Sequence, residues 1–303
     1  MTSTPGKLFL IGEYSVLHGG PAVLTPVPQR AVTTISDDRK HQLTMKFPDT
    51  HHMPMEKGIE QQPLLNAVVN ELDCRAQLEG CSLTLDTHDF FCGDIKLGLG
   101  SSAALTASLV KLLSPDLPLE HQLEKAISSH RRFQNGKGSG ADIALSIMDT
   151  AIRFQKDVTV EPFALPKNLH MLAIWTGVSA STTEYVARLE TWRKEAPKRF
   201  SYHINRLRTV AESFASDLPT EQLLKVLHRF GRYLNEFSED SNLNFYNEPH
   251  IALRKEVESA HCVYKPSGAG GGDFGIAFSA NKDELTILAE RMKYSERIAF
   301  IIE

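Results

Sequence analysis

KPSGAGGGDFGIAF, residues Lys265–Phe278, carries four glycines in the five positions 268–272, followed by an acid and an apolar run. Glycine reaches backbone conformations that are costly for residues with a Cβ, and it lets another group come close to the main chain. The stretch therefore reads as a tight loop feeding a strand. A second glycine-rich stretch, KLGLGSSAA at Lys96–Ala104, opens an alanine-rich helical pattern over 101–113. The first N–H groups of a helix have no intrahelical acceptor, and the positive end of the helix dipole lies beside them. Residues 98–103 are thus an expected anion site, with phosphate as its natural occupant. Neither stretch fits G-x-x-x-x-G-K-[ST] or the G-x-G-x-x-G dinucleotide fingerprint, so neither of those nucleotide folds is supported. A third signal lies near the start, in Pro5-Gly6-Lys7 and Gly12-Glu13-Tyr14.

The 303 residues, 42% apolar and 23% charged, are enough for one large or two ordinary domains with a substantial core. A net charge of -4 gives no global attraction to nucleic acid or to an anionic membrane. Anion binding must come from local Lys, Arg and backbone donors. Four cysteines show neither C-x-x-C pairs nor zinc spacing, which points to reduced thiols. The apolar stretch at 8–11 is too short for a signal peptide or a membrane span. The expectation is a cytoplasmic protein with no nucleic-acid and no membrane partner.

Strands are expected at Lys7–Ile11 and Ala22–Ile35, where β-branched residues and prolines alternate. Ser36–Gly58 is polar and holds Pro48 and Pro54, so it reads as an excursion between elements, with His41, His51 and His52 solvated in it rather than gathered on a metal. Apolar spacing predicts a helix from Ile59 to Leu72, a strand at Cys81–Leu85, helices at Ser101–Leu113, Leu119–Arg131 and Ala141–Ile147, and a strand at Ala151–Phe154. After Pro166 the pattern predicts a strand at His170–Thr176, several helices from Ser181 to Leu234 and one at His250–Ser259. It then gives strands near Cys262, at Phe274–Phe278 and at Arg297–Ile302, with a helix at Lys282–Met292. Runs of strands and helices without regular βαβ alternation define an α+β class. Two domains, 1–166 and 167–303, are expected.

The three motifs, in this order over Pro5–Phe278, resemble the GHMP kinases, the superfamily of galactokinase, homoserine kinase, mevalonate kinase and phosphomevalonate kinase. The resemblance implies a two-domain GHMP kinase fold, with a ribosomal-protein S5-like N-terminal domain, a ferredoxin-like C-terminal domain and an active site in the cleft between them. It also implies ATP and Mg²⁺, in a monomer or a homodimer. Tyr14 after Gly12-Glu13, the run Gly138–Ala144, Trp175-Thr176-Gly177 followed by Ala180-Ser181-Thr182, and Asp273 look like the phosphomevalonate kinases. His18 in Val16–Gly20 is more usual in mevalonate kinases. The implied substrate is a small-molecule phosphorylated acid, 5-phosphomevalonate. Mevalonate, another GHMP acceptor, or an inactive nucleotide-binding homologue are the alternatives.

Phosphoryl transfer needs a cradle for the donor's phosphates, cations to spread the charge, and a group that orients the accepting oxygen. Gly98, Leu99, Gly100, Ser101, Ser102 and Ala103 supply the cradle. Ser102 offers a hydroxyl to Mg²⁺ or phosphate, while Ser101 either joins it or caps the helix. Asp142 stands at an expected helix start, where the dipole keeps a carboxylate ionised. It is either a cap or, as the resemblance implies, the residue that contacts the acceptor. Lys7 is its natural partner and would neutralise transition-state charge. By resemblance Lys96, Ser139, Ser181 and Ser267, with Lys7 and the Ala269 backbone, hold the acceptor's phosphate; Lys96 has the ATP phosphates as its competing assignment. Tyr14, His18 and Gly268 are further substrate-site candidates. Glu13 either positions Mg²⁺ or substrate or pairs with Lys7. Gln134 and Asn135 occupy positions where related kinases often keep a metal-ligating acid, so the metal would rest on Ser102 and the nucleotide's phosphates. Trp175 and Tyr185 are expected as core or cleft-wall aromatics.

Overall fold

The computed structural model describes residues 1–38, 40–136, 138–155 and 159–302. The chain forms two compact units, one of Met1–Lys7 and Pro26–Thr150, the other of Leu8–Thr25 and Ala151–Glu303.

In the first unit, β1 (Thr2–Ile11) pairs with β2 (Pro21–Ser36), and both strands continue into the second unit. β3 (Gln42–Lys46) and β4 (Thr50–Pro54) form an antiparallel hairpin, with Lys46 opposite Thr50. This corrects the expectation of an excursion over 36–58. Leu43 and Met45 are buried on β3 in the alternation of a strand, but β4 is almost wholly exposed and carries no apolar period to read. α1 (Met55–Gln61) and α2 (Pro63–Leu72) replace the one helix expected up to Leu72, because Pro63 cannot donate to the ladder and starts a new helix at its first position. β5 (Ser82–Asp86) lies parallel to β3 and antiparallel to β2. β6 (Phe91–Cys92) and β7 (Ile95–Lys96) make a short hairpin just ahead of the first glycine loop. α3 (Ser101–Leu113), α4 (Leu119–Phe133) and α5 (Ala141–Met148) follow and pack on one another. Small side chains let α3 sit deep: Ala103, Ala104, Ala107, Leu109 and Val110 are fully buried.

In the second unit, Pro21–Leu24 of β2 pairs with β8 (Ile152–Gln155), which pairs in turn with β9 (Thr159–Pro162). β10 (His170–Trp175) is followed by α6 (Thr182–Glu195), α7 (Pro197–Glu212), α8 (Thr220–Ser241) and α9 (Glu248–Ser259). Then come β11 (Val263–Pro266), β12 (Phe274–Ser279), α10 (Lys282–Tyr294) and β13 (Ala299–Ile302). The four strands from β10 onward form an antiparallel sheet in the order β11-β12-β10-β13. Counted from β10 that order is 2-3-1-4, the ferredoxin-like connectivity expected for this half. All six residues of β12 are buried, which explains why its sequence reads as an unbroken apolar run. Among the described residues no helix is long and apolar enough to cross a membrane.

Candidate active site

The N-cap of α3 is Gly100, whose φ of +84° is left-handed, a conformation that glycine adopts without the cost a Cβ brings. A Cβ there would stand 3.3 Å from Lys7 Cε, so the lysine's aliphatic stem runs against the loop. The backbone ties the same two segments together, with Lys7 N donating to Leu99 O at 2.9 Å. Ser101 and Ser102 are the first two helical residues, which corrects the expectation of serine caps; among the described residues no side chain caps α3. Its first helical hydrogen bond comes from Ala104 N to Gly100 O. The amides of Ser101, Ser102 and Ala103 are thus left without helical acceptors, at the positive end of a buried helix. A phosphate fits that cradle, and a side chain in place of Gly100 would crowd it.

Ser102 Oγ lies 3.2 Å from Nε2 of His130, a residue of α4 that is 3% exposed. Burial holds the imidazole below its ordinary pKa, and the carboxylate of Asp142 pulls the other way. Ser102, His130 and Asp142 are therefore brought together by three helices. His130 was missed in the sequence because it belongs to no motif and only the packing of α4 beside α3 gives it a partner. Asp142 is the second residue of α5, behind the N-cap Gly140, and its Oδ1 accepts from the next amide, Ile143 N, at 3.1 Å. It is not the cap. Ser139 Oγ accepts from Ala141 N at 3.2 Å, a local turn bond that leaves its own proton to donate. Lys96 is exposed on β7, opposite Phe91. Gln134 ends α4 as its C-cap. Among the described residues no cluster of three or more His, Cys, Asp or Glu is arranged to hold a metal. The donor set here suits a cation that takes few protein ligands and shares phosphate oxygens, as Mg²⁺ does.

The glycine-rich loop after β11 is built differently. Lys265, fully buried, donates through Nζ to Glu13 Oε1 at 2.5 Å and to Phe9 O at 3.2 Å. Glu13 thus pairs with Lys265, which corrects the sequence alternative of a pair with Lys7. Burial pushes the Glu13 carboxyl up and the Lys265 ammonium down, and the bond between them pulls both back. Glu13 Oε2 is buried with no hydrogen-bond partner. Ser267 Oγ donates to Phe9 O at 3.1 Å and accepts from Phe9 N at 2.8 Å. Tyr14, itself at φ +60°, donates its hydroxyl to Ala269 O. Further along, Gly271 N donates to Phe245 O at 2.6 Å, Asn247 Nδ2 to Gly271 O at 2.9 Å, and Asp273 N to Val178 O at 2.7 Å. A Cβ on Gly270, which has φ +67°, would collide with the Phe245 carbonyl.

Ser181 is the N-cap of α6 and accepts from Glu184 N at 3.3 Å. His18 stands edge-on to Phe200 with ring centres 4.9 Å apart, and 3.9 Å from Glu190. In the second unit, then, Glu13 is held by Lys265, Ser267 by the Phe9 backbone and Ala269 by Tyr14, while Ser181 and His18 serve other local contacts.

No protein-family model matches the chain. It is 29% identical to a phosphomevalonate kinase of Streptomyces sp. (strain CL190), with 90% of this chain and 88% of that one covered. It is 28% identical to a phosphomevalonate kinase of Saccharolobus solfataricus, covering 99% and 95%. A mevalonate kinase of Thermococcus gammatolerans is 24% identical over 93% and 90% of the two chains. Among solved structures, that of Streptococcus pneumoniae phosphomevalonate kinase in complex with phosphomevalonate and AMPPNP shares the fold, with a TM-score of 0.82, 17% identity and 99% of each chain covered. The motifs, the fold and these relatives agree: the chain is a phosphotransferase with the GHMP kinase fold, nearer in sequence to these phosphomevalonate kinases than to this mevalonate kinase.

Proposed function

We propose that the chain transfers the γ-phosphoryl group of ATP to the phosphate of 5-phosphomevalonate, giving 5-diphosphomevalonate and ADP. The observation that carries the donor side is the uncapped start of α3 beside the Lys7 side chain, with Ser102, His130 and Asp142 grouped at the same end. The identities of 29% and 28% to the two phosphomevalonate kinases support the acceptor.

In this reading an oxygen of the acceptor's phosphate attacks the γ-phosphorus, and the bond to the β–γ bridging oxygen breaks, its electrons leaving with ADP. A phosphate monoester has its second pKa near about 6, so close to neutral pH the attacking oxygen carries little proton to remove. The greater demand is to bring two anions together. Lys7 meets it with a positive charge, the loop amides at 101–103 hold the donor's phosphates, and Asp142 orients the acceptor and takes a proton when the monoanion reacts. Mg²⁺, when bound, would neutralise charge on the donor's phosphates, and Ser102 Oγ is the protein group that would hold it. Lys96 supplies the acceptor's phosphate with a cation. Ser139 and Ser181 each accept a backbone N–H and so still have a hydroxyl proton to give it. The Ser267 proton is committed to Phe9 O, and its part is to fix the backbone of Gly268 and Ala269. With all four cysteines as free thiols, a cytoplasmic setting accords with the chemistry.

Mevalonate is the second reading, favoured by His18; there the acceptor is an alcohol and Asp142 would have to remove its proton. A coupled assay of ADP release over phosphomevalonate, mevalonate, homoserine and galactose tests both. Phosphomevalonate should give the highest kcat/KM. Turnover of mevalonate with none on phosphomevalonate would replace the first reading by the second, and nucleotide binding without turnover on any acceptor would make the chain an inactive homologue.

A further inference from the structure

We infer that His130 is a positioning residue for the phosphate-transfer site, accepting a hydrogen bond from the Ser102 hydroxyl so that the oxygen's lone pairs are turned to the nucleotide's cation. A serine hydroxyl has one proton and two lone pairs. To ligate a cation it must present a lone pair and place its proton elsewhere. In most of a helix's first turn that proton would go to water or to the phosphate, with no fixed direction. Here a ring nitrogen of a buried histidine stands 3.2 Å from Ser102 Oγ. The ring is held by its place in α4 and by the tilted contact with Phe133, ring centres 5.8 Å apart. Outer groups of this kind fix the orientation of a ligating group, and their loss usually costs metal affinity about ten- to a hundred-fold.

The charge of Asp142 also acts on the His130 ring, while the hydrogen-bonding contact of that ring is with Ser102 Oγ. None of the motifs includes His130. It is the residue through which α4 takes part in the site, where Gln134 and Asn135 at the end of the same helix bring no carboxylate.

This inference rests on the assignment of Ser102 to the nucleotide's cation, and the test separates the two. The probe is Mn²⁺, titrated by electron paramagnetic resonance into the full chain with AMPPNP present, for the wild type, Ser102→Ala, His130→Leu, His130→Gln and the Ser102→Ala/His130→Leu double variant. His130→Leu should weaken Mn²⁺ roughly ten-fold or more. His130→Gln, whose amide oxygen reaches near the Nε2 position, should recover most of that loss. In the Ser102→Ala background His130→Leu should add almost nothing, because the hydroxyl it acts through is gone. The KM for Mg·ATP should rise in step while the KM for the acceptor stays near wild type.

If Ser102→Ala weakens Mn²⁺ and His130→Leu does not, or if the two losses multiply in the double variant, the role of His130 is overturned while Ser102 keeps its assignment. An unchanged Mn²⁺ affinity in Ser102→Ala overturns both. Thermal unfolding of each variant shows whether a loss reflects folding, and His130→Gln remains informative where His130→Leu is unstable.

Discussion

At 98–103 glycine leaves backbone donors open, whereas at 268–272 it allows three neighbouring segments to close on the main chain. The first loop ends in an uncapped helix start and carries Lys7 along its side. The second is bonded to Phe9 and Tyr14, to Phe245 and Asn247, and to Val178, around a fully buried ion pair. One composition thus serves two purposes. An anion cradle needs donors that the protein has not already satisfied, so its residues should affect function more than stability. A loop tied down by several neighbouring segments needs those partners, so its residues should affect stability first.

The sharpest break in this contrast is Lys265→Met. Removing one partner leaves the Glu13 carboxylate buried without its counter-charge, which costs about 3–5 kcal/mol, read as a lowered urea midpoint. Adding Glu13→Leu should restore much of it, since a buried ion pair replaced by apolar groups is often neutral. If Lys265→Met unfolds no more easily than wild type, this loop and its ion pair are not a stability element.

Acid should break the same region next. His250 donates from Nε2 to Gly272 O, at 3.1 Å, and its Nδ1 lies 2.8 Å from the Tyr264 hydroxyl, which can donate to the neutral ring. Burial holds its pKa at about 4, against an ordinary 6.5. Between those values the unfolded chain binds the proton and the folded chain does not, so stability is full above 6.5 and falls as pH drops towards 4, by up to roughly 3 kcal/mol. Denaturation series at about pH 7 and about pH 4.5 should show this fall in the wild type and a flatter response in His250→Asn.

The other side of the comparison is sharpened by Asp142→Asn. It should lower kcat about 10²-fold, near 2.7 kcal/mol of barrier, and leave the unfolding midpoint almost unmoved. A full loss of stability with kcat retained would reverse the contrast. The smallest effect is expected for Gly100→Ala. The left-handed conformation costs a residue with a Cβ about 1–2 kcal/mol, and the nearest obstacle is the flexible Lys7 stem, so the fold should survive while the KM for ATP rises. Unfolding curves and ATP kinetics on the same preparation check both halves.

Much of this was legible in order along the chain. α3 runs over Ser101–Leu113 as its pattern predicts, α4 and α5 run only a little past their expected ends, and the strands and helix that complete the sheet from β10 onward appear where apolar runs place them. Local signals sufficed there, because a glycine before an alanine-rich helix or an apolar run after a glycine loop needs no distant partner to be read. The exposed hairpin strand β4 and the two-residue strands β6 and β7 were not legible, since backbone pairing rather than side-chain pattern defines them.

The sequence by itself carried the α+β class, the positions of the two glycine loops and, through the family resemblance, Lys7, Ser102 and Asp142 as site candidates. Only the tertiary structure decided partners. Glu13 bonds a lysine 252 residues away, not Lys7, and Ser102 faces a histidine 28 residues on. Backbone conformation is set by neighbours along the chain, whereas the pairing of a buried charge or hydroxyl is set by whichever group packing brings within about 3 Å of it, and desolvation then makes that pairing obligatory.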